Sequence, residues 1–276
     1  MRIARLTILL MFAMLGTSVY AETINCTPVT SLPAVISTQG IFCLTGNLAT
    51  NITSGNAIEI TANNVTLDLN GWKLGGQAAG TGTNAVGIFS NAVNVEIRNG
   101  IIRGFYRGIA LTGRGGSVHG ISSDQNTHIG IDVRGQGSLV YGNTVVDTGG
   151  STYTSDENSI GIYVDGSESN VHNNDISGLT ATGTGNELGI LIQSNGNYAS
   201  VSNNKVTDGA RPSGGGASYG IRVFTALSAA VLTNNVANFN YGIAFNNGAT
   251  GAYARNTVLT ADTAYQGGSA GTGNFP

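Results

Sequence analysis

Asp132 and Asp165 are the residues with which this sequence could do chemistry on a sugar. Each lies on a short alternating strand that follows a Gly-Ile pair, at Gly130-Ile131 and Gly161-Ile162, and period-two alternation turns both carboxyls outward. If those strands stack in parallel, Asp132 meets Tyr163, Arg134 meets Asp165, and the diagonal between the two carboxylates is roughly 8 Å. That falls within the roughly 6.5–9.5 Å that separates the general acid from the water-activating base of an inverting glycosidase. Arg222 faces outward on a later Gly-Ile strand, where it could neutralise a uronate carboxylate. Arg134, Tyr163, Gln193 and Phe224 fill the same outward columns and are the expected substrate contacts. The same residues admit a structural reading, with Arg134–Asp165 an exposed ion pair of about 0.2–1 kcal/mol and Asp132 solvating the sheet.

Positioning these side chains falls to an internal repeat. A Gly-Ile pair opens a strand at Gly87, Gly108, Gly130, Gly161, Gly189, Gly220 and Gly242, at separations of 21, 22, 31, 28, 31 and 22 residues. A second mark, Asn two residues before an aliphatic side chain, keeps phase with it at Asn99, Asn143, Asn174, Asn204, Asn234 and Asn256. Three short strands per turn of about 22 residues, with no regular hairpin signals, describe a parallel β-helix rather than a sandwich. The expected fold is an all-β, single-stranded parallel β-helix of three sheets and about eight rungs. The Asn of each unit is expected at the bend between strands two and three, in the left-handed conformation, bonded to its neighbour in a ladder. Trp72 follows Asn70 at the offset of Ile101 and Val145, which points it into the core.

Composition agrees. The 42 glycines and the 10 % of charged residues suit strands and tight turns rather than helices. Residues 1–21 read as a signal peptide, with Arg2 and Arg5, an apolar run from Leu6 to Leu15, and Val19-Tyr20-Ala21 before the cleavage point. That run is too short for a comfortable membrane span, so the expectation is a secreted, periplasmic or cell-surface protein that does not insert in a membrane. Without residues 1–21, ten basic residues face fifteen acidic ones, a net charge of −5, which disfavours nucleic acid as a partner. Cys26 and Cys43 are expected to bridge in an oxidising compartment, for about 3 kcal/mol of loop entropy. Residues 22–57, which lack the beat, read as an N-terminal cap, residues 58–263 as the helix, and 264–276 as a flexible tail.

The extra residues of the longer units fall at Gly75–Ala85, Thr148–Ser159, Gly178–Leu188 and Asp208–Tyr219, all between strand three and the next Gly-Ile strand. Loops stacked there form a wall beside the Gly-Ile sheet. His119, Tyr141 and His172 occupy equivalent outward positions on the second sheet and read as a surface stack; Asp175 and Lys205 read as an exposed pair. Asp156, Glu157 and Glu187 offer oxygen ligands for calcium, but no Gly-Gly-x-Gly-x-Asp repeat accompanies them, and they read as solvated loop acids. No cofactor or metal site is expected.

The segment Leu32-Pro33 to Gly40-Ile41-Phe42-Cys43-Leu44, the run Asn64-Val65-Thr66-Leu67-Asp68-Leu69-Asn70-Gly71 and the two repeating marks resemble the right-handed β-helix proteins of the pectin lyase-like superfamily, over about residues 30–260. The resemblance implies a right-handed helix, a polysaccharide groove along the Gly-Ile sheet, and a role for Arg222 as the base of a lyase. The hydrolase motifs Asn-Thr-Asp, Asp-Asp and Gly-His-Gly, the epimerase motif Asp-Pro-His and the Asp-His strand of pectate lyases are absent. Two functions therefore stand side by side. One is binding, with lyase or inverting-hydrolase cleavage, of a polysaccharide, with Asp132, Asp165 and Arg222 catalytic. The other is a non-catalytic surface, adhesive or matrix protein.

Overall fold

Glycine recurs at the head of each Gly-Ile strand because nothing larger fits there. A Cβ at Gly161 would stand 2.6 Å from the carbonyl oxygen of Gly189 and 2.6 Å from Cγ2 of Ile176. The same two neighbours, the next glycine's carbonyl and the aliphatic residue of the Asn mark, crowd Gly130, Gly189 and Gly220 through Val145, Val206 and Val236. The two sequence marks are thus one contact, with each Asn-x-aliphatic strand driving its side chain onto a Gly-Ile strand.

A computed structural model describes residues 25–209 and 214–276. The expected signal peptide lies outside them. All paired strands are parallel and form two sheets, one of ten strands that contains every Gly-Ile strand and one of eighteen. The eighteen-stranded sheet holds the second and third strands of each turn, which merge into single long strands at Val95–Arg103 and Ser117–Asp124. Aliphatic side chains from both sheets, among them Ile109, Ile131, Val145, Ile162, Ile176 and Ile190, fill one continuous core.

Inside the second bend runs the asparagine ladder. Asn143, Asn174, Asn204, Asn234 and Asn256 are buried, and each Nδ2 donates to Oδ1 of the next at 2.9–3.0 Å, ending with Asn256 on Asn274 at 3.3 Å. The left-handed residue is not the ladder Asn, as expected from sequence, but the one before it: Gly142, Asn173, Asn203, Thr233 and Arg255. The turn at the preceding residue is what swings each ladder amide inward. Asn99 is the exception, itself left-handed at φ 54° and off the ladder. Its mark is displaced by one residue, with Ile102 in the core and Ile101 half-buried.

Four sequence expectations are corrected. Trp72 is not in the core; Asn70 and Gly71, at φ 50° and 76°, turn the chain outward, and Leu74 is the residue that packs, beside Ile102. The segment 22–57 is more than a cap, since Ala34–Ile36 and Gly40–Leu44 already pair with the strands of the first expected rung. Only Thr27–Val29, clipped by the Cys26–Cys43 disulfide, lies across the open edge of Gly40–Leu44. Residues 264–276 are not a loose tail, because Thr263–Gln266 and Ser269–Ala270 add a further turn and Asn274 closes the ladder. The Gly-Ile sheet consequently has ten strands among the described residues, not the eight rungs expected.

Candidate functional site

The outer face of the Gly-Ile sheet carries three columns of side chains. In the middle column Ala110, Asp132, Tyr163, Leu191, Arg222 and Ala244 stand in register, in the order read from the sequence. Beyond it, Arg134, Asp165 and Gln193 continue the ladder past the strand ends through the bonds of their backbone N–H groups to Leu111, Val133 and Val164. The third column, before the glycines, was not read from the sequence: Arg107, Ile129, Ile160, Leu188 and Tyr219. Gly130 and Ile131 both face the core, so alternation changes phase across the pair and Ile129 is thrown outward.

Ile129, Ile160, Leu188 and Leu191 form a second, outer apolar cluster, on which Tyr163, Tyr219 and Phe224 lie half-buried. The face is therefore a strip of aromatic rings on an apolar bed. Such a strip suits the apolar faces of sugar rings, while its polar margins suit their hydroxyls.

Charge sits at the two ends of the strip. Asp132 is completely buried under two guanidinium groups: Arg134 grips it with Nε on Oδ1 and Nη2 on Oδ2, each at 2.9 Å, and Arg107 Nη1 reaches Oδ2 at 3.1 Å. The hydrogen bonds to Asp132 push the Arg134 pKa up. The expected vertical pair Arg134–Asp165 is thus replaced by a pair within one strand end, and Asp165 instead accepts bonds from the backbone and side-chain N–H groups of Asn195. A carboxyl that reaches no solvent cannot touch a sugar, so Asp132 and Asp165 do not present the two-carboxylate arrangement of an inverting hydrolase. At the far end Arg222 lies between the rings of Tyr219 and Phe224, 4.4 and 4.6 Å from their centroids, with Nε on Asn246 at 3.1 Å. Burial lowers its pKa, and no carboxylate among the described residues lies within ion-pair distance. Tyr163 receives Arg134 over its ring at 4.9 Å.

Next to the Arg107–Asp132–Arg134 group is a cluster absent from the sequence reading. The loop beginning at Thr148 folds back over two rungs without insertions to reach the loop of Thr81 and Asn84, through Thr152 N on Thr81 O at 3.0 Å and Asn84 Nδ2 on the Tyr153 hydroxyl at 3.2 Å. Under this arch the rings of Tyr106 and His128 stack at 4.6 Å, and Tyr153 meets Tyr106 edge-on. Glu157, expected as a solvated loop acid, is buried; it accepts the Tyr106 hydroxyl at 3.1 Å and that of Thr154 at 2.7 Å, and lies 3.0 Å from His128 Nδ1. Nδ1 also lies 2.7 Å from the Asn158 carbonyl. Both partners are acceptors, which assigns the ring proton to Nδ1 and leaves the lone pair on Nε2.

Burial lowers the His128 pKa, against the opposing pull of the Asn158 carbonyl and Glu157, so the ring is neutral near pH 7. Burial and the Glu157 charge push the Tyr106 pKa up, so its proton stays on. A neutral imidazole backed by a carboxylate, beside guanidinium groups, can take a proton from a carbon acid and stabilise the charge that develops. Tyr106 and His128 each stand two residues before a beat glycine, and reading that column would have found them.

The other expected sites are settled by their neighbours. Glu187 is buried, with one oxygen on the Ala181 N–H at 3.4 Å, and burial raises its pKa; Asp156 is exposed and accepts from Thr184. The reading of solvated loop acids therefore holds for Asp156 and fails for Glu157 and Glu187. His119, Tyr141 and His172 stack at 4.7 and 5.3 Å, and Lys205 pairs with Asp175 at 3.2 Å on the surface. A cavity of about 270 Å³ opens between Gln77, Thr81, Gln125, Thr127 and Asp147, and includes none of the residues of the three outer columns. No helix among the described residues is long and apolar enough to cross a membrane.

No protein-family model matches the sequence, and no curated protein matches it. Solved structures do. The Dettilon tailspike protein (gp208) superposes with a TM-score of 0.59 at 15 % identity, over 86 % of this chain and 54 % of its own. The A-module of the Azotobacter vinelandii mannuronan C-5 epimerase AlgE4 superposes with a TM-score of 0.55 at 12 % identity, over 90 % of this chain and 87 % of its own. This chain thus spans about half the length of the tailspike and most of the epimerase module. At these identities the likeness concerns architecture: the chain is a right-handed parallel β-helix, the helix expected from its repeat and the hand implied by the resemblance.

Proposed function

We propose that this protein binds an acidic polysaccharide along the outer face of the Gly-Ile sheet and cleaves it by β-elimination under the arch. The observation that carries the reading is the neutral, carboxylate-backed His128 next to the Arg107–Asp132–Arg134 group, at one end of an aromatic strip. The mannuronan named for the epimerase is an acidic polysaccharide, which agrees with a uronate ligand for a protein of the same architecture. The Cys26–Cys43 disulfide agrees with an extracellular site of action.

The chemistry follows from the atoms. A uronate carboxylate placed against Arg107 and Arg134 acidifies the hydrogen on the adjacent ring carbon. His128 Nε2 removes that proton, the C–H electrons form a ring double bond, and the glycosidic bond to the neighbouring carbon breaks. The imidazolium is held by Glu157 at Nδ1 and returns its proton from Nε2 to the leaving oxygen, so no other reactant is consumed. Tyr106 fixes the imidazole plane by stacking. Asp132 is a positioning residue that holds the two guanidinium groups together.

The test is the ultraviolet absorbance of the unsaturated uronate product, followed with uronate-containing polysaccharides. Wild-type protein is expected to generate it, and His128→Gln to bind the same glycan with turnover reduced by about 10²–10⁴. Binding without product from any of them would leave a binding protein and remove the elimination; absence of binding would remove both.

A further inference from the structure

The two cationic ends of the strip are not neighbours. Arg134 follows the Ile129–Val133 strand, and Arg222 stands on the Ser218–Phe224 strand, three rungs further along. At about 4.8 Å per rung they are roughly 14 Å apart along the axis. At one end two guanidinium groups share the carboxylate of Asp132 while Glu157 is engaged by Tyr106, Thr154 and His128, and at the other Arg222 has no acidic partner within ion-pair distance among the described residues.

The two rungs between them carry no cation. Their outward residues are Ile160, Tyr163 and Asp165, then Leu188, Leu191 and Gln193. The one charge is negative. Asp165 is held by Asn195 at the exposed margin, and Arg134, which stands directly below it in the ladder, is turned away to Asp132. A ligand carboxylate placed over these rungs would meet apolar surface and an acid that forms no direct ion pair among the described residues.

Ligands that run along the strip pass the stations in turn. A sugar unit of an extended chain advances by a length close to one strand spacing. We infer that the face is built for a sparsely charged acidic heteropolysaccharide, in which anionic units about three sugars apart are separated by neutral ones, and that Asp165 discriminates against a polymer charged at every unit. This rests on the polysaccharide reading above and names the substrate class for the same face. The neutral units lie over Tyr163 and the Leu191 surface, and Gln193 offers an amide to their hydroxyls.

The experiment is isothermal titration of His128→Gln protein, or of wild type for any glycan it leaves intact, with four probes of equal length. They are oligogalacturonate, charged at every unit; hyaluronan oligosaccharides, charged at every second; deacylated gellan oligosaccharides, charged at one in four; and neutral cello-oligosaccharides. At least one of the two sparsely charged glycans is expected to bind about tenfold or more tightly than oligogalacturonate. Asp165→Asn is expected to strengthen oligogalacturonate binding about fivefold at low salt, with little change for the sparse glycans. Oligogalacturonate binding as tightly as the sparse glycans, with no response to Asp165→Asn, would overturn the inference and leave the acidic-polysaccharide reading standing. Absence of binding to every charged probe would overturn both.

Discussion

At the scale of single residues, elimination depends on the protonation state of His128. Its pKa lies below the ordinary value near 6.5 because burial disfavours the imidazolium. A base with a lowered pKa is available at all pH values above it, so turnover should rise with pH along a single acid limb centred below about 6.5 and stay flat through neutrality. A pH–rate profile at saturating glycan checks this, and a limb centred above 7 would assign the base to another group. The same shift makes His128 a stabilising group above pH 6.5 whose contribution falls as pH drops through its folded value. Asp132 and Arg222 were legible as outward residues because alternation holds beyond each Gly-Ile pair. Arg107 was not, because two successive core-facing residues at Gly-Ile break the period, and counting back across them assigns the wrong face; Tyr106 and His128 stood in a column that the glycines index, two residues before each. Burial of Asp132 was equally invisible, since its second guanidinium comes from the rung below.

At the scale of elements, the ladder and the glycine column make the sharpest predictions. Asn204→Ala removes a buried amide that donates to Asn234 and to the Val171 carbonyl, and an acceptor used by Asn174. Leaving these groups unpaired should cost about 1–3 kcal/mol, seen as a lowered denaturant midpoint. Gly161→Ala should cost a similar 1–3 kcal/mol or more, because the new methyl meets a backbone carbonyl that cannot move without displacing the next rung. An unchanged midpoint for Gly161→Ala would contradict the close packing of the two sheets. The repeat announced these elements because each side chain of the pattern touches its own equivalent one rung away. Irregular elements carried no such signal. Trp72 was placed inward by analogy with later rungs, and only the two left-handed residues before it turn it out. The arch was legible as an insertion but not as a bridge, since nothing in the spacing says that the loop of Thr152 returns to Thr81.

At the scale of the whole molecule, a stack of parallel rungs needs its ends closed. At the N-terminal end, Thr27–Val29 lies over the Gly40–Leu44 edge, and the Cys26–Cys43 bridge keeps it there. Reduction, or Cys26→Ser with Cys43→Ser, should lower stability by about 3 kcal/mol and appear first as amide exchange in the Gly40–Leu44 strand rather than in the middle rungs. The strip occupies the fifth to eighth of the ten strands of the Gly-Ile sheet, and the strands paired on either side hold Asp132, Tyr163 and Arg222 in register. Binding of acidic polysaccharide by this strip is tested by titrating wild type, Arg134→Ala and Arg222→Ala with uronate-containing and neutral oligosaccharides of equal length. Saturable binding of the acidic glycans alone is expected, weakened about tenfold or more by each arginine substitution. Acidic glycans that fail to bind, or that bind both variants as they bind wild type, would contradict it.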